Sequence, residues 1–162
     1  MNKPFSKFAS IIAAAALIAT GVAAVTVYAQ TPLEIVKNRE GEMKKLGGHM
    51  KAIAGFIKNG EGSAEDVARR AGEIGKFAAK IPSMFPDGTE MNGAADSKYK
   101  AMPEIWLDWE NFEKASARLR SMSKALAAAA GGGDKAAIAE AFTRLGKEGC
   151  GGCHKNFRMK VN

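Results

Sequence analysis

With 162 residues, 46% of them hydrophobic and 25% charged, the chain can fill one sizeable core but not two. Its net charge of +7 is a mild basic excess. That suits solubility, or docking to acidic partners, and by itself is no nucleic-acid signature.

The first segment carries Lys3 and Lys7 and then no charged residue until Glu34, with an apolar, alanine-rich run over residues 11–27. This is the layout of a secretory leader. Val27-Tyr28-Ala29 offers a small residue at the cleavage position, so residues 1–29 are expected to be removed and residues 30–162 to form a single domain. An uncleaved anchor is the alternative, since the uncharged run is long enough to span a bilayer, but its alanine content makes it weakly hydrophobic. Without the leader the chain keeps 22 basic and 17 acidic side chains, a net +5. Export would place its cysteines in an oxidising compartment.

Thr31, Pro32 and Glu34 spell an N-cap, a proline at the first helical position and a capping-box glutamate. The helix they open carries Val36, Met43, Leu46, Met50, Ile53 and Ile57 on one stripe and stops at Asn59-Gly60. Ser63 caps a second helix, with Val67, Ala71, Ile74, Ala78 and Ile81 inward, ending before Pro82. Residues 82–102, rich in Pro, Gly, Asp and Asn, have no period and are expected to form a long loop, of the kind that crosses a domain or borders a functional site. Pro103 starts a third helix, with Ile105, Trp109, Phe112, Leu119, Met122 and Leu126 inward, up to Gly131-Gly132-Gly133. Asp134 caps a fourth, which runs through the cysteines to Arg158. No stretch alternates with period two. The expected fold is all-α, an antiparallel four-helix bundle, an architecture that holds cofactors between facing helices.

The fourth helix carries Cys150-Gly151-Gly152-Cys153-His154, with the only two cysteines of the chain. Zinc would need four ligands, and the chain offers two cysteines and two histidines, one of them far away at His49. A thiol-disulfide exchange motif opens a helix after a strand, whereas this one lies late in its helix. Covalent attachment of haem c fits: two cysteines at this spacing reach the two vinyl groups of one haem edge, and the next histidine is placed to ligate the iron. The intervening glycines clear side chains from the backbone that the porphyrin passes.

Residues seven apart on a helix differ by about 700° of rotation, so Met43 and Met50 share a face with Leu46, while His49 points roughly 120° from Met43. His49 is therefore expected at the surface. Either methionine could be a simple core gap-filler, and spacing alone does not separate a ligand from packing.

"CGGCHKNFR", together with "MFPDGTE", "DSKYKAMPEIW" and "KNREGEMKKLGGHM", resembles the class II c-type cytochromes over the whole of residues 30–162. The resemblance implies an exported four-helix bundle with one covalent haem c, carrying single electrons between redox proteins of a respiratory or photosynthetic chain; the residues themselves show no second catalytic constellation, so no enzyme is expected. The family divides into a low-spin branch, cytochrome c-556, with methionine on the far side of the iron, and a five-coordinate branch, cytochrome c', with an apolar residue there. Met43 falls four residues after Arg39, where the low-spin branch has its ligand. By the same resemblance His154 is the other iron ligand, Cys150 and Cys153 carry the thioethers, Arg39 meets a haem propionate and Arg158 sits by the proximal imidazole. Trp106 and Trp109 are expected to pack at the core and haem edge rather than relay electrons. The expected protein is periplasmic, has no lasting membrane insertion, and is a monomer, as low-spin members often are. The alternative is a five-coordinate protein that binds nitric oxide or carbon monoxide.

Overall fold

The computed structural model describes residues 30–90 and 99–161. The expected leader lies outside them. Helix α1 (Pro32–Asn59) begins as its sequence requires: Thr31 N donates to the Glu34 carboxylate at 2.7 Å, and Glu34 N donates back to Thr31 Oγ1 at 3.3 Å. It ends at Gly60, whose φ of 74° a side chain would disfavour. Helix α2 (Ala64–Ala78) starts on Ser63, whose hydroxyl accepts from Asp66 N at 3.1 Å.

The bundle is centred on α2 and a long helix, α4 (Trp109–Gly131), which meet along a seam of small residues. Ala71 and Ala78 of α2, and Ser116 and Ser123 of α4, are each spaced by seven and are buried. The Ser116 hydroxyl donates to the Ala78 carbonyl and that of Ser123 to the Leu119 carbonyl, so neither is buried unsatisfied. A Cβ built on Gly75 would lie 3.4 Å from Ser123 Cβ, which shows how closely the backbones approach. Ile74, Phe112, Leu119 and Leu126 fill the space around the seam.

Three features depart from the sequence expectation. The third helix is broken: α3 (Glu104–Leu107) ends at Asp108, with φ −129° and ψ 52°, and α4 restarts at Trp109. Aspartate favours a helix boundary over a helix interior, and here both its carboxylate oxygens accept from the Asn111 side chain at 3.0 Å. The fourth helix is also not uniform. It runs as α5 (Lys135–Arg144), a π-helical turn over Leu145–Cys150, then α6 (Gly151–Phe157).

Third, two short strands form where none was expected. β1 (Tyr99–Ala101) pairs antiparallel with β2 (Arg158–Lys160), in the register Tyr99 to Lys160, Lys100 to Met159 and Ala101 to Arg158. Met102 N donates to Phe157 O at 3.1 Å and extends the ribbon to the end of α6. Arg158 is thus extended, not helical. The loop after α2 opens with a 3-10 turn (Pro82–Met84) that precedes the "FPDG" bend, and residues 91–98 of the loop lie outside the described chain.

Candidate functional site: the CGGCH turn and the face of helix α1

Asp134 caps α5 by accepting from Ala136 N at 2.9 Å, and the helix delivers the motif on a π-turn. A π-turn inserts one extra residue into a helical turn and is frequent at functional sites. It brings Gly149 against α4, where an added Cβ would stand 3.1 Å from Leu119 Cδ1. Gly151 is constrained from within the helix, since a Cβ there would lie 3.3 Å from the Gly146 carbonyl oxygen. Gly152 has open space, as expected of a residue beside which a planar group must pass. The two motif glycines thus serve different ends, and only Gly152 matches the sequence reading.

Cys150 and Cys153 are free thiols, half-buried against the core. Burial pushes the Cys150 thiol up from its usual value; burial and the neighbouring Cys150 push Cys153 up to about 11. His154 is half-buried, and desolvation, followed by the nearby Arg158 charge, lowers its pKa. Its imidazole is accordingly held neutral, the form with a lone pair to give a metal. Arg158 is exposed, and its guanidinium lies 4.2 Å over the Tyr99 ring, a cation–π contact across the ribbon.

On α1, Arg39 is buried at 6% exposure, while Met43, Leu46 and Met50 are half-buried and pack on the same core as the cysteines. Met50 approaches the π-turn, its Cε 3.8 Å from where a Gly146 side chain would begin. The Arg39 Nη1 donates to Met84 O at 3.3 Å and to Thr89 Oγ1 at 3.5 Å, and its guanidinium carbon is 4.1 Å over the Phe85 ring. Among the described residues no carboxylate forms an ion pair with it. Desolvation lowers its pKa. A buried guanidinium without an acid is suited to an anionic group of a ligand.

His49 differs from expectation. It is half-buried, and its Nδ1 is shielded from solvent without a hydrogen-bond partner. It faces α2 closely enough to help lower the Glu73 carboxyl, although the hydrogen bond from Lys76 has the larger effect there. Trp106 and Trp109 are half-buried, as expected of packing residues. Trp109 meets Phe112 at 5.5 Å between ring centroids, and Trp106 donates its indole N–H to Phe85 O at 3.1 Å. Phe85, Thr89 and the indole donor are site features that the sequence reading missed. "MFPDGTE" marked the stretch, but its partner Arg39 lies 45 residues from Met84.

The donor set fits haem c: free thiols one helical turn apart, an imidazole beside them whose pKa is lowered, a half-covered apolar stripe on the same core and a buried cation. Fold and motif define a helical bundle with a covalently attached haem c. The family model described as Cytochrome C' matches residues 34–158, and the chain belongs to this family of class II c-type cytochromes. Its members are periplasmic haem proteins that carry electrons or bind gases.

Cytochrome c-556 of Agrobacterium tumefaciens (strain B2A) is 36% identical over 126 residues, covering 77% of this chain and 97% of its own. Cytochrome c' of Rhodospirillum rubrum is 34% identical over 148 residues, covering 91% and 95%. Among solved structures, cytochrome c' from Thermochromatium tepidum aligns with a TM-score of 0.71 at 26% identity, covering 81% of this chain and 98% of its own. Another cytochrome c', described with ligand-controlled dimer dissociation, aligns at 0.73 and 25% identity, covering 82% and 100%. Among the described residues no helix is long and apolar enough to cross a membrane.

Proposed function

We propose that the chain is an exported one-electron carrier in which Cys150 and Cys153 bear the haem, and His154 and Met43 ligate its iron. The observation that carries this is the arrangement on α1: Met43 follows the buried Arg39 by about one turn and packs half-covered on the core that also receives both cysteines. Bound there, the haem supplies an iron that exchanges one electron between ferric and ferrous states.

The chain's own residues set the conditions for that exchange. Burial and then Arg158 lower the His154 pKa and so favour the unprotonated imidazole that can ligate. The Met43 thioether favours the ferrous state relative to a second histidine. Because α1 and α6 belong to one packed bundle, both ligands stay in place as the charge changes, and little rearrangement opposes transfer. Arg39 offers its buried charge to a propionate; Arg158 acts on the proximal imidazole from the ribbon.

A five-coordinate gas binder is the second reading, favoured by the similarity to cytochromes c', one of which has been solved as the nitric oxide complex of an L16A mutant. A Met43→Ala variant tests between the two. In the carrier it opens the iron, giving a high-spin spectrum that responds to carbon monoxide. An unaltered spectrum would remove Met43 from the ligand set, and an unaltered high-spin one would favour the gas binder.

Residues 1–29 are proposed as the leader that exports the chain, and residues 30–162 as one domain. The expected monomer gains no support from the solved structures, one of which is a cytochrome c' described with ligand-controlled dimer dissociation.

A further inference from the structure

We propose that Thr89, Phe85 and Trp106 form a receptor that fixes the Arg39 guanidinium, which makes Thr89 and Trp106 positioning residues for the anion that Arg39 meets. This inference rests on the reading of Arg39 as the partner of a haem propionate.

The receptor closes on one side of the guanidinium only. Among the described residues both acceptors, Met84 O at 3.3 Å and Thr89 Oγ1 at 3.5 Å, are served by the single nitrogen Nη1. The Phe85 ring covers one face at 4.1 Å. A guanidinium carries five N–H donors in a plane, so Nη2 and Nε remain as an in-plane fork, the pair that meets a carboxylate in bidentate fashion.

Each receptor element is itself held. Thr89 is 1% exposed, and its hydroxyl donates to Pro86 O at 2.7 Å, which leaves an oxygen lone pair to accept from Arg39. The Phe85 carbonyl accepts the Trp106 indole N–H at 3.1 Å. Its ring meets Trp106 edge-on at 6.1 Å and Phe112 at 4.9 Å, so it cannot swing from under the cation without breaking two aromatic contacts. The break at Asp108 gives this contact its setting, since Trp106 lies on the separate short helix α3. The loop after α2 therefore meets the charged group of α1 directly, and α3 braces that loop through Phe85. A guanidinium left free to rotate would lose ordering entropy on meeting its anion, and one already fixed loses less.

Two readouts test the proposal on the haem-loaded protein. The first is the reduction potential and its pH dependence in Thr89→Val, Thr89→Ser, Arg39→Gln and the Arg39→Gln/Thr89→Val pair. The expected result is a shift in Thr89→Val in the direction of Arg39→Gln, recovery in Thr89→Ser, and no added effect of Thr89→Val once Arg39 is gone. Strictly additive shifts, or none in Thr89→Val, would overturn the positioning role.

The second is solvent exchange of the Arg39 side-chain N–H protons, followed by NMR in the ferrous protein. Thr89→Val should speed it by about tenfold, the scale of one lost hydrogen bond to a charged group, and Trp106→Phe, which loses only the neutral bond to Phe85 O, should speed it less. Exchange unchanged in both variants overturns the receptor. Exchange that speeds up while Arg39→Gln leaves the potential untouched upholds the receptor and removes the propionate from it.

Discussion

The α2/α4 seam and the middle of α1 belong to one bundle but are finished differently. In the seam, apolar and small side chains are buried completely: Ala71, Ile74 and Leu126 have at most 1% of their surface exposed, and even the serines are satisfied by helix carbonyls. On the middle of α1, Met43, Leu46 and Met50 touch the same core yet stay half-covered. The difference separates a surface completed by protein from one shaped for a flat apolar ligand. The buried charge is also on the second side, at Arg39, whereas the seam contains no ionisable side chain.

The strongest way to break this contrast is at the motif. Cys150→Ala/Cys153→Ala should abolish both thioethers, so that any haem bound becomes extractable from the denatured protein by acidified solvent, whereas Ile74→Ala should keep it covalently bound. Met43→Ala comes next, with loss of low-spin character and gain of carbon monoxide binding, read optically, and only a modest change in melting temperature.

Stability sharpens the same comparison. Ile74→Ala should cost about 3 kcal/mol, as for a fully buried side chain, and by nearly the same amount with and without haem. Leu46→Ala should cost less than Ile74→Ala in the haem-free chain, and clearly more in the haem-loaded protein. Denaturant titrations of both forms measure this, and equal costs for Leu46→Ala in the two would contradict a ligand-covered face.

The smallest effect concerns the thiols before attachment. A raised thiol pKa means less thiolate at a given pH, so Cys153 should alkylate far more slowly at pH 8 than a free cysteine, its rate climbing about tenfold per pH unit until about 11. In linkage terms the buried thiol is favoured in the folded state. Its contribution is therefore complete below the ordinary thiol pKa and lost as the pH rises through the folded value. Alkylation that plateaus near pH 9 in the folded chain would contradict the burial.

Legibility in the sequence follows the same division. The inner stripe read for the second helix, Val67 to Ile81, was readable because complete burial by protein enforces a strict apolar period; all five residues are buried, although α2 ends at Ala78 and Ile81 lies in the turn after it. The caps at Thr31, Ser63 and Asp134 were readable because capping is local in sequence. The attachment motif was also readable, as a short pattern with fixed chemistry.

What escaped was non-local or lacked a period. The β1–β2 ribbon pairs segments about 59 residues apart with only three residues each, too few for alternation to register. The π-turn at Leu145–Cys150 leaves the residue pattern helical and alters only the hydrogen-bond ladder. The Arg39 receptor is assembled from a loop carbonyl, a hydroxyl and a ring, none of which signals its partner in sequence. His49 was placed by rotation about one helix, which locates a face but does not say whether the rest of the fold shields it.

The most direct test of the central claim is the optical spectrum of the purified haem-loaded protein, oxidised and reduced, with and without carbon monoxide. Ligation by His154 and Met43 predicts a low-spin spectrum, a methionine-to-iron band in the ferric form and no response to the gas. A high-spin spectrum that shifts on adding carbon monoxide would contradict it, leaving Met43 as packing and the iron open on the α1 side.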